Sequence, residues 1–402
     1  MIVKTEGELA LQSILETQEK PQAVGKDRKR LMIGLPKENP ELEKRIALTP
    51  DAVSVLVKNG HQVLIEKDAG KSAHFFNDEY TAAGADLCFT AKEVFECHVV
   101  LKINPPTAEE IEWMQPESVL FSALHLTEQH KGYFEALTKK RITGIAFEFM
   151  QDKVGDLAVI RAMSEIAGSS AMMIASEYLG KGQCQLLGGV VGVPPTQVVI
   201  IGAGTVAEHA AKTALGLGAD LKVFDTQLYR LQRLRYSIGQ NIFTAILDSN
   251  TLGRALQDAD VVVAAVRADN EYSPMIVSED MVRNMKKNAV IIDVSIDQGG
   301  CVETSKMTSH QKPIFEKHGV IHYAVPNIAS RVSHTASSSL SNIFTPMLLQ
   351  AGALGGLDEM ILTNPWFMKG VYTFRGNITH QHIAKKFELR YRDLRLLLAA
   401  RI

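Results

Sequence analysis

A chain of 402 residues has room for two or three domains. Its 46% hydrophobic and 22% charged content supports packed cores and excludes a disordered chain. A net charge of −2, from 43 basic and 45 acidic residues, leaves no basic excess for nucleic acid or an anionic membrane, so neither partner is expected.

Residues 1–30 form a charged N-terminal extension without an apolar signal core. Leu9, Leu11, Ile14 and Leu15 recur there at helical spacing, and the segment reads as a surface helix followed by a basic linker. Five apolar runs then predict strands: MIGL (32–35), QVLIE (62–66), VVLKI (99–103), SVLFSAL (118–124) and TGIAFEF (143–149). Helices are expected between them at 50–59, 107–114 and 127–139. Pro50 and Pro106 suit first-turn positions, where no backbone donor is lost. Such alternation argues for a parallel, doubly wound sheet.

From about 160 to 181, small and apolar residues follow helical spacing, as in a long helix crossing between domains. The alternation then restarts. VVIIG, LKVFD, NIFTAI, DVVVAAV, AVIIDVS and VIHYAV are six candidate strands, the count for a full dinucleotide-binding fold. After about 328 a serine-rich start leads into an apolar helix at 338–352, and a short helical stretch lies near the C-terminus. Two stretches, 182–207 and 332–357, lack Asp, Glu, Lys and Arg and have the length of a membrane span. Pro194 and Pro195 in the first and the Ser/Thr-rich start of the second make both read as buried segments of a soluble protein. The expected fold is α/β, with two doubly wound Rossmann-like domains. A nucleotide domain (159–328) is inserted into a discontinuous substrate domain (31–158 and 329–402), and the active site is expected in the cleft between them. Cys88, Cys97, Cys184 and Cys301 form no C-x-x-C pair, which suits reduced thiols in a cytoplasmic protein and argues against a metal site.

Strand VVII runs into Gly202-Ala203-Gly204-Thr205-Val206-Ala207, a G-x-G-x-x-A turn. Gly202 permits the tight turn, Gly204 lets a pyrophosphate approach the backbone, and Ala207 allows close helix–strand packing. The helix that opens there offers free N–H groups to phosphate. The next strand ends in Asp225, 23 residues after Gly202, where a carboxylate can bind both ribose hydroxyls of NAD and repel a 2′-phosphate. Arg230, five residues on, can flank the adenosine and leaves some room for NADP; NAD is the favoured cofactor.

Four polar residues carry the candidate chemistry: Arg45 in EKRIALTP, Lys102 at the end of VVLKI, His125 in LHL, and Asp297 in DVSIDQGG. The last three sit at the carboxyl ends of predicted strands, where open α/β sheets bind ligands. Taken singly they read as a surface cation, a snorkelling lysine, a satisfied histidine and a turn cap. As a set they can do more. A guanidinium can grip a carboxylate, a lysine and a histidine can polarise or protonate a carbonyl oxygen, and a carboxylate can hold a developing iminium.

These motifs together resemble the alanine dehydrogenase family, in the group that also contains the NAD-binding subunit of proton-translocating transhydrogenase. The resemblance runs from about Met32 to about Leu398. It is carried by GLPKE…RIALTP (34–50), GHQVLIEKDAG (60–70), VVLKINPP (99–106), LHL (124–126), MSEIAGSSA (163–171), LLGGVVGVPPTQVVIIGAG (186–204) and IDVSIDQGGCVE (292–303). It implies NAD-dependent oxidative deamination of L-alanine to pyruvate and ammonium, and the reverse, by a homo-oligomer, either a hexamer or a dimer. Arg45 and Lys102 would bind the substrate, and His125 and Asp297 would be catalytic. Ser164, Gly202, Gly204, Val206, Asp225, Arg230, Val266 and Asn327 fall where the family meets NAD. Alternatives in the same group are a soluble transhydrogenase subunit and a glycine dehydrogenase. The LHL histidine and the unbroken DQGGC string favour the alanine enzyme. At 327–337 (NIASRVSHTAS) the chain departs from the pattern: prolines common there are missing, and Ser330-Arg331 leans toward the transhydrogenase side.

Overall fold

The computed structural model describes residues 29–266 and 274–400, so the extension helix expected around Leu9 to Leu15 lies outside the described residues. The chain first builds six parallel strands: β1 (Met32–Leu35), β2 (Gln62–Glu66), β3 (Asp86–Cys88), β4 (Val99–Leu101), β5 (Val119–Ser122) and β6 (Thr143–Ala146). They lie in the order 3-2-1-4-5-6. A second sheet follows, from β7 (Gln197–Ile201), β8 (Asp220–Asp225), β9 (Phe243–Ile246), β10 (Val261–Ala264), β11 (Val290–Asp293), β12 (Ile314–Lys317) and β13 (Val320–Tyr323). Its order is β9-β8-β7-β10-β11-β13-β12, with only β12 antiparallel. The chain then returns to the first sheet with β14 (Val371–Phe374) and β15 (Asn377–Ile378), which extend the β6 edge antiparallel. Both sheets therefore reverse their winding once, between β1 and β4 and between β7 and β10, and each reversal opens a crevice at the strand carboxyl ends.

Strands buried on both faces need continuous apolar runs. In β7, Val198 and Ile200 join the core on one face of the second sheet, and Val199 and Ile201 join the core on the other. In β4, Val99 and Leu101 pack on one face and Val100 on the other. Burying each such side chain contributes about 1.5–3 kcal/mol.

Four helices position the site. The first, α1 (Pro50–Lys58), has Thr49 as its cap, with Pro50 in its first turn. Pro106 does not share that placement, since the helix after it begins at Ala108 with Thr107 as its cap. The long helix α2 (Ala158–Gln183) packs along α3 (Thr205–Gly216), which opens at the glycine turn. Their contact is close: a Cβ on Gly168 would lie 2.2 Å from the Val206 carbonyl oxygen. Among the described residues only α2 is long and apolar enough to cross a membrane. Its buried Ala167, Ala171 and Ala175 instead pack in the core of the second sheet.

The last of the four, α4 (Ser333–Ala353), begins five residues before the expected 338. The serines at its start explain the difference. Ser337 accepts the Ile46 N–H at 2.9 Å, and Ser341 accepts the Thr49 N–H at 2.8 Å. Ser330, just before the helix, accepts the Lys44 N–H at 2.9 Å. The serine-rich start of the helix thus fastens the segment carrying Arg45.

Candidate active site

The glycine turn has the form that its motif demands. Gly202 follows β7 at φ +106°, and a Cβ there would lie 2.4 Å from the Ala265 carbonyl oxygen. Gly204 caps α3, and a Cβ on it would meet nothing within 4 Å, so the space before the helix is open. Asp225 ends β8 beside the turn and is buried. Its two oxygens accept the N–H groups of Ala203 at 2.7 Å and Gln227 at 2.8 Å, which locks the carboxylate against the turn. Ser164, Gly202, Gly204, Val206, Asp225, Arg230 and Val266 all line one cleft of about 1300 Å³. An open helix N-terminus, a glycine cradle and a buried acid fit a dinucleotide. Gly202→Ala should weaken NADH binding at least about tenfold, because left-handed strain of about 1–3 kcal/mol adds to the clash. Fluorescence titration reads this, and undiminished affinity would contradict the assignment of the turn.

Arg233 also lines the cleft, and its Nη2 donates to the Ala203 carbonyl at 3.3 Å. The sequence reading did not single it out.

The other candidates gather at strand carboxyl ends. Lys102 follows β4 and is buried; its Nζ donates to Glu38 Oε2 at 2.8 Å. Glu38 follows β1, the strand across the reversal, and its Oε1 accepts the Ile103 N–H at 2.6 Å. Burial pushes the Glu38 carboxyl up from its ordinary value, with Lys102 opposing.

Arg45 is held by Glu43, whose side chain is completely buried. Nε donates to Glu43 Oε1 at 2.8 Å and Nη2 to Oε2 at 2.6 Å, a two-pronged clasp. Nη1 reaches the Met163 sulfur on α2 at 3.2 Å. Burial disfavours the charge on Arg45, but Glu43, with Glu38 and Asp297, outweighs it and the guanidinium pKa is raised. Burial likewise works against the charge on Glu43, yet Arg45 and Asn327 bring its pKa down.

Asn327 joins the two lobes. Its side-chain Nδ2 donates to Glu43 Oε2 at 2.7 Å, and its backbone N–H donates to Asp297 Oδ1 at 3.1 Å. It does not line the large cleft with the other seven residues. Asp297 is accessible at the end of the 3-10 turn after β11. The protein crowding around it raises its pKa, opposed by the Asn327 N–H and by the charges of His125 and Arg45. His125 follows β5 with φ +47°, and its Nδ1 lies 3.7 Å from Glu128. The fold therefore brings Arg45, His125, Asp297 and Asn327 together, with Lys102 joined through Glu38, whose charge also acts on Arg45. Glu38 and Glu43 stand in the strings GLPKE and EKR, so their proximity to the basic residues in sequence was the available signal.

Within the stretch 327–337, Ser330 and Arg331 make contacts of their own. Ser330 is fully buried and donates to Glu43 Oε1 at 3.0 Å. Arg331 pairs with Glu177 at 2.6 Å. Neither displaces Arg45 or Asp297. No His/Cys/Asp/Glu cluster suited to a metal occurs among the described residues.

Comparison with known proteins bears on the family of the chain. Residues 34–167 match the family model described as "Alanine dehydrogenase/PNT, N-terminal domain", and residues 171–381 match "Alanine dehydrogenase/PNT, C-terminal domain". An alanine dehydrogenase of Methanococcus maripaludis is 40% identical over 366 residues, covering 90% of this chain and 98% of that protein. A solved L-alanine dehydrogenase superposes with a TM-score of 0.83 at 35% identity, covering 89% of this chain and 99% of the other. A transhydrogenase from Sinorhizobium meliloti shares the fold, with a TM-score of 0.76 at 22% identity over 87% of this chain and 99% of the other.

Proposed function

The chain belongs to the alanine dehydrogenase/PNT family, and we propose that it catalyses the NAD-dependent oxidative deamination of L-alanine to pyruvate and ammonium, and the reverse reductive amination. One observation carries the reading: Asn327 ties the Glu43–Arg45 clasp to Asp297, so a guanidinium able to bind a carboxylate stands one residue away from a candidate catalytic carboxylate. The same reading divides the chain into a substrate domain, 31–158 with 329–402, and an inserted NAD domain, 159–328.

Bound NAD supplies the hydride acceptor. Gly202, Gly204, Val206, Asp225, Arg230, Val266, Ser164 and Asn327 would hold it. The locked Asp225 carboxylate supports NAD over NADP, since it would oppose a 2′-phosphate. Arg45, with one edge fixed by Glu43, offers its remaining N–H groups to the substrate carboxylate, and Lys102 adds a second cation. Orienting the substrate in this way can supply about 7–11 kcal/mol at best. Asp297 stabilises positive charge as the amine becomes an imine. Water then adds to the imine carbon, and His125 takes and returns protons at the substrate oxygen as the C–N bond breaks and the adduct collapses to the ketone with release of ammonia. NAD reduction that requires L-alanine is the direct test.

A homo-oligomer, a hexamer or a dimer, is part of the proposal. Leu186, Val190, Val191 and Val193 form an exposed apolar segment of the kind that copies cover in one another. Sedimentation velocity should show an assembly, and a monomer at micromolar concentration would contradict it. The cytoplasmic assignment is supported by four free cysteines, of which Cys88, Cys97 and Cys301 are buried.

A further inference from the structure

Glu148 stands in the turn after β6, behind His125, and the mechanism above gives it no part. Parallel pairing of β5 with β6 sets Ser122 beside Ala146, which brings the residues beyond each strand end together. Glu148 Oε1 accepts two successive N–H groups, from Leu124 at 2.7 Å and from His125 at 3.2 Å. Its Oε2 is buried and has no hydrogen-bond partner among the described residues. Leu124 is fully buried, whereas His125 turns out to the surface at φ +47°. A histidine in the left-handed region is strained and persists only where its surroundings fix it. One carboxylate oxygen bridging both N–H groups of the turn is such a fixture.

We propose that Glu148 is the positioning residue for His125: its Oε1 holds the Leu124–His125 backbone in the left-handed turn that presents the imidazole at the surface beyond the end of β5. This rests on the reading of His125 as the proton carrier. Glu148 acts through the backbone and touches no substrate. Burial pushes its carboxyl up from the ordinary value, so a neutral group that keeps the oxygen is a close substitute.

The test compares three replacements in L-alanine oxidation at saturating NAD. Glu148→Gln keeps the accepting oxygen and should retain kcat to within about threefold, whereas Glu148→Asp, one methylene short, and Glu148→Ala should lose about 10–100-fold. In all three, KM for L-alanine and NADH affinity should stay within about twofold, because the carboxylate grip and the cofactor cleft are untouched. If Glu148→Ala fails to fold, the contrast between Gln and Asp decides. A native kcat in Glu148→Asp overturns the proposal, as does a loss in Glu148→Gln equal to that in Glu148→Asp. His125→Ala run alongside separates the two levels. A native rate there removes the underlying reading. A depleted rate there, with native Glu148→Asp, removes only the positioning role.

Discussion

His125→Ala should lower the rate of alanine oxidation by about 10²–10⁴-fold, the usual worth of a general acid–base group. NADH binding should be unchanged, since His125 lies outside the residues that line the large cleft. The structure makes the claim specific. His125 is held at φ +47° at the end of β5, and its charge acts on Asp297. Glu128 sits 3.7 Å from Nδ1, on the solvent side, with its side chain 75% exposed, so it is a weak partner. Stopped-flow turnover with a parallel NADH titration separates chemistry from binding. Native turnover in the variant would remove His125 from the mechanism.

Arg45→Met should both abolish tight alanine binding and destabilise the protein by about 3–5 kcal/mol, because it leaves the buried Glu43 without its cation. The loss should depend on pH. In the native chain the Glu43 pKa lies below its ordinary value of 4.5, so its contribution to stability is present above that value and lost as the pH falls through the folded pKa. Without Arg45, burial dominates and the Glu43 pKa rises instead. The deficit of the variant should then be largest near about pH 8 and shrink toward about pH 5, as Glu43 takes up a proton. Adding Glu43→Gln removes the buried charge and should restore much of the stability, while KM for L-alanine stays high. Urea unfolding at the two pH values reads the first effect and steady-state kinetics the second. An Arg45→Met protein as stable as the native one would refute the clasp, and a double variant that regains a native KM would refute the carboxylate grip.

What could be read in the sequence was what local pattern encodes. The turn at Gly202–Ala207 needs a strand, a tight bend and a helix start within a dozen residues, and each leaves its mark. Most strands are apolar runs, so β1, β2, β4 to β11 and β13 were legible. The edge strands β3, β12 and β15, and β14 between β15 and β6, were not. Thr373 on β14 meets Gly144 across 229 positions, and no local signal announces such a pairing. The site showed the same division. Arg45, Lys102, His125 and Asp297 stand out as polar residues at strand ends or in recognisable strings. Glu43 looks like one charge among several in ELEKR, yet its partners Asn327 and Ser330 lie 284 and 287 residues away. Only the folded chain shows that Ser337 and Ser341 of α4 accept N–H groups of the segment beside Arg45.

The central claim is that the chain turns over alanine. NADH absorbance should be followed with the purified chain, NAD and L-alanine at alkaline pH, with glycine, L-serine and D-alanine beside it. The account predicts rapid NADH formation with L-alanine. No reduction with L-alanine, while NADH still binds, would contradict it and would leave the chain as an NAD(H)-binding relative that passes hydride elsewhere.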